Sequence, residues 1–141
     1  MTIKQATTDE DILKCWEVLK ALRPHLEQDS FLPLVREMIR EGYQLAFIEE
    51  NGKAVSAIGF RYQQFLFNGK HFYIDDLSSL PEARGKGYGG SLLDYVTNLA
   101  KEKGYKVVTL DSGPHRHDAH RLYLNNRFVI SSYHFSKPVT Q

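Results

Sequence analysis

The chain has 141 residues, 42% of them hydrophobic, 25% charged and 12% aromatic, the make-up of one soluble globular domain with a core of its own. A formal charge of +1 gives no overall attraction to nucleic acid or to an acidic membrane, and no apolar run approaches the length of a membrane span. Cys15 is the sole cysteine, so no disulfide can form within the chain, and the opening residues hold no apolar signal core; the expected setting is the cytoplasm, with no nucleic-acid or membrane partner.

Residues 2–6 alternate as an edge strand would. Thr8, with Asp11 three residues on, marks a helix start; Ile12, Cys15, Trp16, Leu19 and Leu22 then line one face until Arg23-Pro24-His25 ends it. Ser30 is placed to cap a second helix, with Pro33 tolerated in its first turn, a stripe of Leu34, Val35, Met38 and Ile39, and Gly42 as its end. Strands follow at Gln44 to Glu49, at Val55 to Phe67 with a bend at Gly59, and at Phe72 to Ser79. Asn51-Gly52 and Asn68-Gly69 are hairpin turns, so these strands are antiparallel.

From there the pattern changes. A helix from about Gly89 to Lys103, ended by Gly104, leads to a strand at Val107, Val108 and Leu110; such a crossover requires the strands on either side of it to be parallel. A short helix over Asp118 to Asn125 and a last strand over Phe128 to Phe135 complete the chain. The expected fold is α+β: a mixed, mostly antiparallel central sheet flanked by helices, with one right-handed strand–helix–strand crossover, in a single domain over residues 1–141. The edge of the last strand, with Val129, Ile130, Tyr133 and Phe135, suits pairing in a homodimer.

The chemistry is concentrated between the third strand and the long helix. Arg84, Gly85, Lys86, Gly87, Tyr88, Gly89 and Gly90 put four glycines and two cations into seven residues at a helix N-terminus. Glycine permits tight turns and close approach, and a helix N-terminus offers unpaired N–H groups and partial positive charge, so the stretch is an anion site of the kind that holds a pyrophosphate. Gly85, Gly87 and Gly90 also match the G-x-G-x-x-G dinucleotide fingerprint, with Asp111 about 20 residues on. That reading fails because the fingerprint belongs after the first strand of a parallel doubly wound sheet, and here it follows an antiparallel meander. His115, His117 and His120 resemble a metal cluster, but the remaining histidines are scattered and no metal is expected.

Three segments carry a resemblance. Arg84 to Gly89 fits the [R/Q]-x-x-G-x-[G/A] motif of the GNAT N-acetyltransferase superfamily; Ile74 to Pro81 is similar to the strand before that loop; and Ala119 to Phe128 resembles its A-x-x-[L/F]-Y-x-x-x-G-F segment. Within the superfamily, the run Arg116 to Leu124 followed by Tyr133 to Lys137 looks most like aminoalkylphosphonate and other small-amine N-acetyltransferases. The resemblance departs at Arg127, where the family has glycine; Asn126 could supply the left-handed residue one position earlier.

The resemblance implies acetyl transfer from acetyl-CoA to a primary amine, with an aminophosphonate or polyamine among the acceptors. The alternatives are a protein or peptide amine, or an acyl-CoA-binding module without catalysis. It implies that the pyrophosphate lies against Gly85 to Gly90, with Arg84, Lys86 and Tyr88 in the same loop, and that the pantetheine arm bonds the backbone at Leu77 and Ser79. It makes Tyr123 the general acid that protonates the leaving thiolate. Asp75 and Asp76, adjacent on a strand, are expected to point to opposite faces; Asp76 is chosen as the general base, with Asp111 second. Family architecture places the acceptor near Arg23-Pro24-His25-Leu26-Glu27, making Arg23, His25 and Asp111 substrate-site residues.

Overall fold

The structure is a computed structural model and describes residues 1–140. These fall into two compact units, residues 1–110 and the residues from 111 on. Among the described residues no helix is long and apolar enough to cross a membrane.

The first unit begins with the edge strand β1 (Ile3–Gln5). Thr8 then opens α1 (Asp9–Lys14) by accepting the Asp11 N–H on its Oγ1 at 3.1 Å. The single helix expected next is two. The N–H of Cys15 turns back three residues to Ile12 O at 3.0 Å, its ψ is 0°, and α2 (Trp16–Leu22) starts afresh. The break keeps the apolar face intact, with Ile12, Cys15, Val18 and Leu19 all buried, and burial raises the Cys15 thiol to about 12. Helix α3 (Gln28–Arg40) starts two residues before the expected cap. Glu27 is the N-cap, and Ser30, which was to fill that role, sends its hydroxyl back to Glu27 O at 3.3 Å; Pro33 therefore lies inside the helix.

Strands β2 (Tyr43–Glu50), β3 (Lys53–Phe65) and β4 (Gly69–Ser79) form the antiparallel meander, β1 pairs antiparallel with β2, and β5 (Val107–Leu110) pairs parallel with β4. The sheet order is β1-β2-β3-β4-β5, the mixed and mostly antiparallel sheet expected. Asn51 and Gly52 have φ of 54° and 81°, the paired left-handed residues of a two-residue hairpin. The second hairpin has a three-residue loop instead: β3 stops at Phe65, and Gly69, with φ of 70°, already belongs to β4.

Side-chain alternation assigns the faces. Phe60 meets Phe72 and, at 6.5 Å between ring centroids, Tyr95 of α4 (Tyr88–Glu102), with Leu92, Leu93 and Val96 buried behind. Their neighbours Gly59 and Arg61 face the other way, toward the side covered by α2 and α3.

In the second unit, α5 (His117–Asn125) ends in a Schellman arrangement: Phe128 N–H bonds Tyr123 O at 3.0 Å, Arg127 N–H bonds Leu124 O at 3.2 Å, and the Tyr123 and Phe128 rings lie 5.9 Å apart. The left-handed residue is Arg127 itself, with φ of 70°, whereas Asn126 has φ of –100° and does not take that role. The expected strand over Phe128 to Phe135 does not form. No strand pairs with this segment among the described residues, and a strand has no backbone bonds without a neighbour, so the edge suggested for dimer pairing is not a strand edge. Val129, Ile130, Tyr133 and Phe135 are exposed. A non-glycine residue in the left-handed region is strained, so Arg127→Gly should raise the unfolding free energy of this protein by about 1 kcal/mol in urea titration; no change would mean that the side chain of Arg127 contributes as much as its backbone costs.

Candidate active site

The glycine loop leaves β4 through a 3-10 turn, Pro81–Ala83, and enters α4 at Gly87. Gly85 and Gly87 both have φ of 80°, and a side chain at either would meet open space, so their backbone is exposed to a ligand. The first intrahelical bond is Ser91 N–H to Gly87 O at 3.1 Å, and no side chain caps the end, which leaves the N–H groups of Tyr88, Gly89 and Gly90 pointing outward. Lys86 and Tyr88 converge on Glu50 at the end of β2: Lys86 Nζ lies 3.2 Å from both carboxylate oxygens and the Tyr88 hydroxyl donates to Oε2. The Tyr88 hydroxyl and then Lys86 hold the Glu50 carboxyl below its ordinary range. Arg84 is exposed and has no carboxylate partner among the described residues. Glu50 carried no sequence signal of this role.

Just upstream, β4 loses one neighbour. Its pairing with β5 runs from His71 to Ile74 and stops where β5 ends at Leu110, so residues 75–79 have β3 on one edge and no strand on the other among the described residues. Leu77 and Ser79 lie on this open stretch, and the Ser79 hydroxyl is 2.7 Å from that of Ser56 on β3, which ties the side chain inward.

The register of β3 against β4 slips at this point. Gly59 opposes Asp76 and Phe60 opposes Ile74, so Asp75 is an extra residue, a β-bulge. The bulge overturns the expectation that the two carboxylates face apart. Both lie on the side of α2 and α3: Arg61 grips Asp75 through Nε and Nη2 at 2.7–3.1 Å, and Arg23, just past α2, donates Nε to Asp76 Oδ1 at 3.1 Å. Arg23 Nη2 also bonds the Asp75 carbonyl at 3.0 Å, satisfying an acceptor that the bulge takes out of the ladder. Tyr43 donates its hydroxyl to Asp76 Oδ2 at 2.8 Å, and the Arg61 guanidinium lies 5.5 Å from its ring centroid. Burial, then the Asp76 carboxylate, pushes the Tyr43 hydroxyl well above its ordinary value, so it stays a donor. Burial likewise raises the Asp75 carboxyl, against the opposing pull of Arg61.

Next to this cluster is a cavity of about 340 Å³. Leu19, Leu26, Phe31, Leu34, Val35 and Met38 form its apolar wall, and Arg23, His25, Tyr43 and Asp76 its polar end. The cavity thus brings together two of the expected substrate-site residues, Arg23 and His25, with Asp76, the expected general base, and adds Tyr43; it does not include Asp111, the third expected substrate-site residue. A glycine inside a strand signals a close approach, and Gly59 marks the place where the Tyr43 ring crosses the sheet. Asp111 and Tyr123 belong to the second unit. Asp111 Oδ1 is 3.5 Å from His134 Nδ1, Tyr123 is half-buried on α5, and the His117 and His120 rings are 6.3 Å apart.

A mixed sheet whose fourth strand opens beside an uncapped glycine loop, with a carboxylate at the opening, is the scaffold of an acyl-transfer enzyme. The chain belongs to the acetyltransferase (GNAT) family, whose pattern matches residues 9–127, and it is an acetyltransferase of that family. It is 34% identical over 139 residues to the uncharacterized N-acetyltransferase YhdJ of Bacillus subtilis (strain 168), a match covering 97% of this chain and 98% of that protein. It is also 32% identical over 96 residues to the aminoalkylphosphonate N-acetyltransferase of Salmonella typhimurium, covering 67% of this chain and 61% of that one. Among solved structures, the fold agrees with that of AAC(6')-Iy in complex with the bisubstrate analog CoA-S-monomethyl-acetylneamine, at a TM-score of 0.81 and 16% identity over the whole of both chains.

A Cβ at position 59 would lie 1.9 Å from the Tyr43 hydroxyl oxygen and 2.4 Å from Cζ of a ring that is itself buried. Gly59→Ala should therefore destabilise the protein by about 1–3 kcal/mol in urea unfolding, as overpacking does; a loss below about 0.3 kcal/mol would mean that the ring has room to move.

Proposed function

We propose that this protein transfers the acetyl group of acetyl-CoA to the primary amine of a small molecule. One observation carries the reading: the uncapped loop at Gly85 to Gly90 and the open edge of β4 lie in sequence on one path that ends at Asp76. Bound acetyl-CoA supplies an activated thioester. The protein supplies everything else.

The outward N–H groups of Tyr88, Gly89 and Gly90, with the exposed backbone of Gly85 and Gly87, take the pyrophosphate. Arg84 adds an unengaged positive charge, and Lys86 reaches the phosphates by sharing its carboxylate partner Glu50. The backbone of Leu77 and Ser79, on the side of β4 that lacks a strand, bonds the pantetheine arm and directs the thioester toward Asp76.

An ammonium cannot attack, so the acceptor must first lose a proton. Asp76 receives it, directly or through a water, while Arg23 and Tyr43 fix the carboxylate in place. The neutral amine nitrogen then bonds the acetyl carbon, the carbon–sulfur bond breaks, and the nitrogen gives up its second proton to solvent to leave the amide. Tyr123 is assigned the proton that the departing thiolate takes up: a tyrosine hydroxyl near pKa 10 is still protonated at neutral pH and can donate to a thiolate whose conjugate acid lies near 8.5. Arg23, His25 and Asp111 are assigned to the acceptor side. The aminoalkylphosphonate relative supports a small-molecule acceptor.

Gly89 lies in the helical first turn, where no positive φ is required, so Gly89→Asp can fold; its carboxylate would then stand where the pyrophosphate is to bind. Calorimetry should show CoA affinity falling by about 1–3 kcal/mol, the worth of a charge-assisted contact, and unchanged affinity in a folded variant would end the loop assignment. Tyr123→Phe keeps the ring and removes the donor. Its turnover should fall by about 10²–10⁴ with acetyl-CoA binding retained. Full turnover at saturating amine would pass the role of acid to water.

A further inference from the structure

The cavity beside Asp76 bears on which amine is accepted, an inference that rests on the acetyl-transfer reading above. Helix α3 gives it Phe31, Leu34, Val35 and Met38, spaced i, i+3, i+4 and i+7, so one face of the helix forms a continuous apolar wall. Leu19 and Leu26 extend that wall from α2 and the segment after it.

Apart from the His25 imidazole, the charged groups at the polar end are already paired with one another. The guanidinium of Arg23 is committed to Asp76 Oδ1 and to the Asp75 carbonyl, Asp75 is held by Arg61, and the Tyr43 hydroxyl is donated to Asp76 Oδ2. Among the residues that line the cavity, a phosphonate or carboxylate on the acceptor would find no free arginine or lysine and only the His25 imidazole, and burying an anion without a compensating charge is strongly unfavourable. An amine fits differently. A carboxylate offers about four lone-pair sites; Arg23 and Tyr43 occupy one on each oxygen, which leaves room for N–H donors of a bound ammonium. The apolar wall then withdraws that ammonium from water, which favours its loss of a proton and so the free amine that attacks.

We propose that the acceptor is a primary amine on an uncharged apolar body, an alkylamine or arylalkylamine, with the body along α3 and the nitrogen at Asp76.

The test uses the full chain and acetyl-CoA, following thiol release with n-alkylamines from propyl to heptyl, 2-phenylethylamine, spermidine and 2-aminoethylphosphonate. Calorimetry of 2-phenylethylamine without any acetyl donor gives an independent readout of the cavity. The expected results are measurable binding, a rise in kcat/KM of about fourfold per methylene, and at least about tenfold preference for 2-phenylethylamine over 2-aminoethylphosphonate, a preference on the scale of a small difference in pocket contacts. Leu34 lines the cavity but is 39% exposed, so Leu34→Lys can fold, and it should narrow or reverse that preference by adding a cation to the wall.

Binding of 2-phenylethylamine with no turnover of any amine supports the cavity assignment and overturns acetyl transfer. Turnover of 2-aminoethylphosphonate above the apolar amines, or a kcat/KM flat with chain length, overturns the apolar acceptor and leaves acetyl transfer standing. Absence of any binding of 2-phenylethylamine to the unmodified protein overturns the apolar acceptor by itself.

Discussion

The arrangement of the first unit depends on a single extra residue in β4. Placing Asp75 out of register against β3 converts an alternating pair of carboxylates into two carboxylates on the same face. In a regular strand, one of them would be directed at the hydrophobic face beneath α4, among Phe60, Phe72 and Leu92, away from the arginines that now hold both carboxylates. The bulge also comes at the residue where β5 ceases to pair, so the loss of a neighbour and the turn of the side chains coincide.

Two like charges side by side repel, and the sheet answers with separate partners for each. Arg61 is cross-strand from Tyr43 and holds Asp75; Arg23 comes from beyond α2 and holds Asp76. Tyr43 stands between them, buried and kept protonated by its surroundings, and it can stand there only because position 59 lacks a side chain. A strand defect, a glycine and a helix end thus act together, and none of the three has an evident purpose without the others.

Much of this was legible in the chain, and the parts that were not share a cause. Hairpin residues such as Asn51-Gly52 and the Thr8 cap act on their own backbone, so their effect is local and can be read from neighbours in sequence. The crossover through α4 follows from connectivity alone. The bulge at Asp75 depends on which β3 residue lies opposite, and Tyr43 and Glu50 acquire their roles from partners 33 and 38 residues away. The expected last strand fails for the same reason: Val129, Ile130 and Tyr133 have suitable composition, but a strand is defined by the chain beside it. At Arg127 the family pattern had glycine, and the backbone keeps glycine's conformation although the side chain has changed.

The trio of Glu50, Lys86 and Tyr88 has a consequence for the entropy of the loop. Long side chains that swing freely lose rotamer freedom when a ligand arrests them, typically about 0.5–1.5 kcal/mol each. Here the lysine and the tyrosine are already held by one carboxylate from a strand interior to the sheet order. Much of that ordering is done when the protein folds, so the loop meets an incoming anion with its shape settled.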